Sequence, residues 1–428
     1  MSAGAGALPP EATSAAPLAG LRVVELADGW GAQCGRILAD LGADVVKVEP
    51  PGGDPARARP PFIAGHPSPD RGLWWLALNA NKRGVTLDLS HPHGPDVLRR
   101  LVAIADVFVE ALDPGELARL GIDAARLASW NERLIHTTVT PYGSDGPLAS
   151  APASDLEVTA ASGALWLAGE PGRPPVRTTL PQSPFWAGMY AAMGTLFAYL
   201  ARGTTGRGQH VDTSAQASMV TVHPPAPVFW SVLGEEHRRL GPFLLGRSIV
   251  GARFRNIWRC KDGYVAFAIQ GGAIGRHTGK MLVEWMASRG EVPEALRAID
   301  WERFDNTTLR QEDVERLEVA IAPFFEGVTK REFFEGVVAR NMLGYPVSTV
   351  AEVYDDPQLR ARGFWQDLEV PEAGRTVPIP GGFALFDGER PRVRRPAPRL
   401  GEHNAEVFHR ELGLGQGELA ATRAAVTA

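Results

Sequence analysis

The chain has 428 residues, too many for one compact core, so two domains are the default. A composition of 44% hydrophobic and 22% charged residues is that of an ordinary globular protein, and a net charge of −5 gives no reason to expect nucleic acid. No apolar run reaches the roughly 18 residues of a membrane span, and two cysteines, Cys34 and Cys260, set no disulfide framework, which fits a reducing cytoplasm.

Residues 1–17 are rich in Ala, Gly and Pro, lack the basic-then-apolar order of a signal peptide, and read as a mobile tail. Residues 21–26 read as a strand. Ile37, Leu38 and Leu41 have helical spacing, Gly42 reads as the helix cap, and Val45, Val46 and Val48 start a second strand that leaves through a glycine-rich loop at 50–54. Strand, helix and strand make the crossover of a parallel sheet, whose loops at the strand C-termini are the usual place for a ligand. Residues 73–78 and 85–89 read as two apolar strands. Between them Asn79-Ala-Asn-Lys-Arg83 is polar and basic, suited to an anionic nucleotide-like ligand or to a plain polar surface. Ser90 is a candidate N-cap for a helix through Leu101. His91 and His93 lack a third ligand and read as a solvated turn, so no metal is expected.

Further strands are expected at 106–110 and 134–139, with a short helix at 115–120 and a Gly/Pro loop at 142–152. Residues 187–202 are apolar nearly all round, which predicts a buried helix. Its small residues Ala187, Gly188, Ala191, Ala192 and Gly194 permit close packing. Gly203, Gly206 and Gly208, with Arg202 and Arg207, follow a helix rather than open one, so they read as a tight turn into a strand at 210–214 and not as a phosphate loop. Pro224, Pro225 and Pro227 mark a linker. Beyond it come strands near 254–269, helices near 279–288 and 312–326, a helix at 351–362, and a basic, proline-containing surface strip at 392–399. No Gly-x-Ser-x-Gly nucleophile elbow is present.

Together these segments resemble the class III CoA-transferases, a family that includes carnitine, formyl and benzylsuccinate CoA-transferases and a racemase branch. The resemblance runs from Leu18 to about Leu414. It rests on Leu18-Ala-Gly-Leu-Arg-Val-Val-Glu25, Leu38-Ala-Asp-Leu-Gly-Ala-Asp-Val-Val-Lys-Val-Glu49, Asn79-Ala-Asn-Lys-Arg83, Asp106-Val-Phe-Val-Glu110, Tyr142-Gly-Ser-Asp-Gly-Pro147, Thr205-Gly-Arg-Gly-Gln209, Asp356-Pro-Gln-Leu-Arg-Ala-Arg-Gly363 and Pro398-Arg-Leu-Gly-Glu-His403. It implies an α/β fold with a large Rossmann-like parallel-sheet domain built from both chain ends (18–224 and 336–428), a smaller inserted α+β domain (225–335), and an interlocked dimer. It also implies coenzyme A, as acyl-CoA, for a substrate, with Asn79, Lys82 and Arg119 approaching its nucleotide. Guanidinium and ammonium groups suit the CoA phosphates.

The family chemistry rests on one aspartate. Its carboxylate attacks the acyl-CoA thioester to form a mixed anhydride. CoA thiolate converts that to an aspartyl-CoA thioester, and an acceptor carboxylate collects the CoA. The aspartate stands four residues before the glycine that opens the small-residue helix. Here that glycine is Gly188 and the position is Pro184, which has no nucleophilic atom. Asp155 is the nearest family-typical acid, with an N-cap as its plain structural role. The racemase branch needs a His before that acid, where this chain has Ser154. A second departure lies after Glu110. Ala111-Leu-Asp113 replaces the common Asn-Phe-Arg and reverses a charge, a change worth on the order of a few kcal/mol at close contact before screening.

Three functional readings follow. In the first, the chain is a nucleophile-lacking subunit of a transferase that moves CoA between an acyl-CoA such as succinyl-CoA and a carboxylic acid, paired with an active paralogous subunit. In the second, it is an autonomous acyl-CoA enzyme that uses another residue such as Asp155. In the third, it is a non-enzymatic CoA-binding or scaffold subunit. Trp74, Trp75, Trp166, Trp186 and Trp230 are candidates for an aromatic acyl pocket or for core packing.

Overall fold

The computed structural model describes residues 16–290 and 292–422, so residues 1–15 of the expected tail lie outside the described part. The described chain divides into two units: 16–164, 178–228 and 357–422 form the first, and 165–177 with 229–356 form the second.

The first unit is built on strand β1 (Arg22–Ala27), helix α1 (Ala32–Asp40), β2 (Asp44–Glu49), α2 (Leu73–Asn79), β3 (Arg83–Thr86), α3 (Gly94–Ala103) and β4 (Val107–Ala111). After these come α4 (Glu116–Arg119), α5 (Ala124–Trp130), β5 (Ile135–Thr140), α6 (Asp155–Ala161), α8 (Ser183–Thr205), β6 (His210–Ser214) and α9 (Ala215–Val220), while α7 (Ala164–Leu167) falls almost wholly in the second unit and α10 (Pro225–Leu233) is divided between the two at residue 229. The six strands pair in parallel in the order β3-β2-β1-β4-β5-β6, so the direction of winding reverses between β1 and β4. Both faces of the central strands are covered, which is why β1, β2 and β4 carry runs of Val, Leu and Phe. Leu38 of α1 and Ala187, Ala191 and Ala198 of α8 pack on one face, while Leu98 and Leu101 of α3, Leu127 of α5 and Phe408 pack on the other.

Several elements differ from the sequence reading. Residues 73–79 form a helix, not a strand: Leu-Trp-Trp-Leu-Ala-Leu-Asn holds no β-branched residue, and a short apolar run fits either period. Ser90 does not cap α3. It bonds Asp88 in a preceding turn through N–H at 2.9 Å and through its hydroxyl at 2.5 Å, and the helix begins at Gly94 with Pro95 in its first turn. Pro225 and Pro227 lie within the opening turn of α10 rather than in an irregular linker. Helix α8 is only half buried. Its small residues face α1, where a Cβ on Gly188 would stand 2.7 Å from the Gln33 Cβ, but Met189, Met193, Phe197 and Leu200 point outward, Leu200 at 69% exposure. The strip at 392–399 is more than a solvated face: Asn81 accepts from the N–H of Arg394 and donates to the carbonyl of Arg395, and the carbonyl of Pro398 accepts from Arg57 and Trp75.

The second unit contains β7 (Phe243–Leu244), β8 (Phe254–Arg255), β9 (Ile257–Cys260), β10 (Gly263–Ala266), α11 (Gly272–Arg289), α12 (Glu294–Arg297), α13 (Gln311–Glu326), α14 (Lys330–Ala339), β11 (Tyr345–Pro346) and α15 (Val350–Tyr354). Its core is aromatic, with Phe325 edge-on to Trp258 at 5.3 Å and to Phe267 at 5.2 Å. Because β11 pairs with β10, the chain stays in this unit past residue 336, and the return falls at Pro357. That proline also splits the expected 351–362 helix into α15 and α16 (Pro357–Ala361). Strands β12 (Trp365–Val370) and β13 (Arg375–Pro380) then form an antiparallel hairpin in the first unit.

Candidate active site

Three groups of residues meet at the C-terminal end of the large sheet. The first is the winding reversal itself. Asp28 follows β1 and donates its N–H to the carbonyl of Ala111 at the end of β4, 3.2 Å away. The loop closes tightly: a Cβ on Gly31 would lie 2.7 Å from the Cβ of Ala27 and 2.8 Å from that of Ala111. Burial pushes the Asp28 carboxyl up to about 6, with Asp54 and Asp113 adding to the rise and Lys47 opposing it. Beside it, at the ends of β4 and β5, lies a cleft of about 120 Å³ lined by Glu110, Leu112, Gly115, Thr138, Thr140 and Ser144. Glu110 is held by His136 at 2.9 Å, whose ring stacks on His210 at 4.8 Å. Asp212 of β6 pins the loop after β5, accepting from the Ser144 hydroxyl at 2.7 Å and its N–H at 3.0 Å. Burial and the neighbouring His136 hold His210 below the ordinary imidazole range.

The second group is a buried charge network under α1. Glu25, Lys47 and Lys82 are closed to solvent. Lys82 Nζ lies 2.8 Å from Glu25 Oε2 and donates to the carbonyl of Ala32 at 2.9 Å and to Asn79 Oδ1 at 3.0 Å. Lys47 pairs with Glu25 at 3.2 Å and with Asp54 at 2.7 Å, and also donates to the carbonyl of Ala27. Burial lowers Lys82 to about 8 against the pull of Glu25, whereas Lys47, between two carboxylates, is raised. Asp54 folds the glycine-rich loop back on the sheet, capping the turn at Pro55–Ala58 through the N–H of Ala56. Arg57 completes the network, 2.5 Å from Glu49 and 2.6 Å from Asp70, with its guanidinium 3.6 Å over the Trp75 ring.

The third group is the start of α8. Pro184 sits in its first turn, where a missing N–H costs nothing. Asp155 Oδ1 accepts three hydrogen bonds there, from the N–H groups of Gln182 at 2.8 Å and Ser183 at 2.9 Å and from the Ser183 hydroxyl at 2.8 Å. Asp155 opens α6, whose own N-cap is Ser154 in a capping box with Glu157. The carboxylate therefore caps a different helix from the one the sequence suggested.

A sequence profile described as CoA-transferase family III matches residues 18–404. The chain belongs to CoA-transferase family III. It is 35% identical over 396 residues to the BbsE subunit of succinyl-CoA:(R)-benzylsuccinate CoA-transferase from Thauera aromatica, which spans 90% of this chain and 92% of that one. It is 30% identical to the beta subunit of succinyl-CoA–L-malate CoA-transferase from Chloroflexus aurantiacus, covering 94% and 96%. A solved CaiB/BaiF family protein from Brucella suis superposes with a TM-score of 0.77 at 28% identity, over 92% of this chain and 99% of that one.

Within this family III fold, the residues singled out from the sequence are scattered. Asn79 and Lys82 lie inside the buried network, their polar atoms engaged by protein groups, and Arg119 is exposed on the last turn of α4. Trp75 is buried beneath Arg57, Trp166 falls in the second unit, and Trp230 is 62% exposed. Trp186 lies at the start of α8, and Trp74 stacks against Phe185 there. The network of Glu25, Lys47 and Asp54 escaped the sequence reading, although Lys47 and Glu49 at strand period in a run of valines were its visible signal.

Proposed function

We propose that the chain is the nucleophile-lacking subunit of a succinyl-CoA-using CoA-transferase, and that an active paralogous subunit supplies the aspartate, in an interlocked pair. One observation carries this reading: at the start of α8, where the family chemistry requires a free carboxylate, the chain has Pro184, and the nearest acid is engaged three times over as a helix cap. The Oδ1 of Asp155 is committed to holding the start of α8, a structural duty that accounts for the residue without chemistry. The relatives named as subunits of succinyl-CoA transferases support the pairing. So does the outward apolar stripe on α8, since Phe197 at 61% exposure is costly to leave in water.

The cleft at β4 and β5 suits the nucleoside part of CoA better than its phosphates. Glu110 and the hydroxyls of Thr138, Thr140 and Ser144 can accept from ribose hydroxyls, and Arg119, exposed on α4, is a cation available for phosphate. The pairing is tested by assaying CoA transfer from succinyl-CoA to a panel of acids with this chain alone, with the paralogous subunit alone, and with both. Transfer is expected only from the mixture. Full turnover by this chain alone, abolished by Asp155→Asn, would overturn the proposal in favour of an autonomous enzyme.

A further inference from the structure

We propose that Arg59, Trp74 and Phe185 form the subsite for the acid that exchanges CoA, and that this acid carries an aromatic ring. The inference deepens the transferase reading and rests on it for the site's place in a reaction. Two arginines in the same loop behave differently. Arg57 is buried and saturated by Glu49 and Asp70, whereas Arg59 is exposed and among the described residues its guanidinium makes no ion pair. Its guanidinium carbon instead lies 4.1 Å over the Trp74 ring. The Trp74 N–H is satisfied by the carbonyl of Pro60 at 3.1 Å, so the half-buried indole makes no further polar demand. That ring stacks with Phe185, centroids 6.4 Å apart and planes 19° apart.

Phe185 is the residue after Pro184, in the first turn of α8, and Met189 continues the same helix face one turn on. The position that carries the family chemistry is thus flanked by a flat cation, two aromatic rings and a thioether. A guanidinium held by its face on an aromatic ring keeps its N–H edge for a carboxylate, which it binds bidentately where a lysine would not. An aryl group can extend the Trp74–Phe185 stack, an interaction that an alkyl chain of equal size does not make. An aryl carboxylic acid meets both demands at once.

The test is a ligand-observed NMR titration of the full chain with 3-phenylpropanoate, hexanoate and adenosine 3′,5′-bisphosphate. 3-Phenylpropanoate is expected to bind more tightly than hexanoate. Arg59→Ala should weaken both acids by about tenfold, the loss of one charge-assisted hydrogen-bonded pair. Arg59→Lys should fall between, and Trp74→Leu should erase the preference for the aryl acid. Both side chains are accessible, and circular dichroism checks that each variant is folded. Unchanged affinities in Arg59→Ala and Trp74→Leu would overturn the subsite, as would displacement of the acid by the bisphosphate, which would give the platform to the nucleotide. Binding here needs neither CoA nor a second subunit, so its failure rejects the subsite alone, while absent transfer in the mixture rejects the subunit reading alone.

Discussion

Asp28 shows how far a single side chain can be placed by its surroundings. It stands where β1 and β4 diverge, and its carboxyl is raised from 3.8 to about 6 chiefly by burial. Between those two values the folded chain holds a proton that the unfolded chain has released, so this residue makes stability fall as pH rises through the window. Above pH 6 its ionised form is a net cost on the order of 1 to 3 kcal/mol. Asp28→Asn should therefore stabilise the protein at pH 7.5 and do little at pH 4, which urea denaturation at the two pH values would reveal. Equal gains at both would refute the assignment. Gly35 is a second such residue: a Cβ there would overlap the Glu25 carboxylate and crowd Lys82 at 3.3 Å. Gly35→Ala is expected to cost about 3 kcal/mol or more, because the buried pair must break or the helix must lift.

Among the elements, α8 is held at its start by a side chain from another helix. Its Asp155 cap satisfies N–H groups that the helix cannot satisfy itself and places a negative charge at the positive end of the helix. Asp155→Ala should lower stability by about 1 to 2 kcal/mol and Asp155→Asn by less, with transfer by the assembled pair retained in both at low temperature. Loss of transfer in a fully folded Asn variant would return Asp155 to the chemistry. The close face of α8 was legible in advance, because Ala187, Gly188 and Ala191 at helical spacing leave room for another backbone. Its open face was not, because apolar residues on every side do not say which side meets the same chain. The parallel strands were legible from their valine runs, and the glycine at 42 from its place after the last helical leucine. Helix α2 was misread since seven residues are too few to separate the two periods. The buried network was obscure for a deeper reason: Glu25, Lys47 and Lys82 come from three separate strands or loops, and only the parallel register of β1, β2 and β3 brings them together.

For the whole molecule, the outward stripe of α8 carries the strongest expectation. Met189, Met193, Phe197 and Leu200 form a continuous apolar row that a second subunit would cover. Phe197→Asp combined with Leu200→Lys should leave the circular dichroism of the isolated chain unchanged and, in the mixture with the paralogous subunit, shift the mass measured by light scattering from that of a pair to that of single chains. A pair that survives both changes would place the contact elsewhere. The far end of the same sheet is finished by quite different means. Strand β3 is its last strand, and residues 403–422 close that border: the Gly84 carbonyl accepts from the N–H of His403 at 2.9 Å, the Thr86 N–H donates to Asn404 at 2.9 Å, and Arg83 meets Glu406 and Glu411 at 2.8 and 2.5 Å. During synthesis these groups emerge hundreds of residues after the strand they cover. A nascent chain must carry a bare, bond-hungry border through most of its translation, which invites pairing with a neighbour on the same polysome. Premature stop codons near residue 390 should then yield insoluble product rather than a slightly shortened protein, and slowed translation should raise the demand for chaperones far more than an equal delay in the first hundred codons.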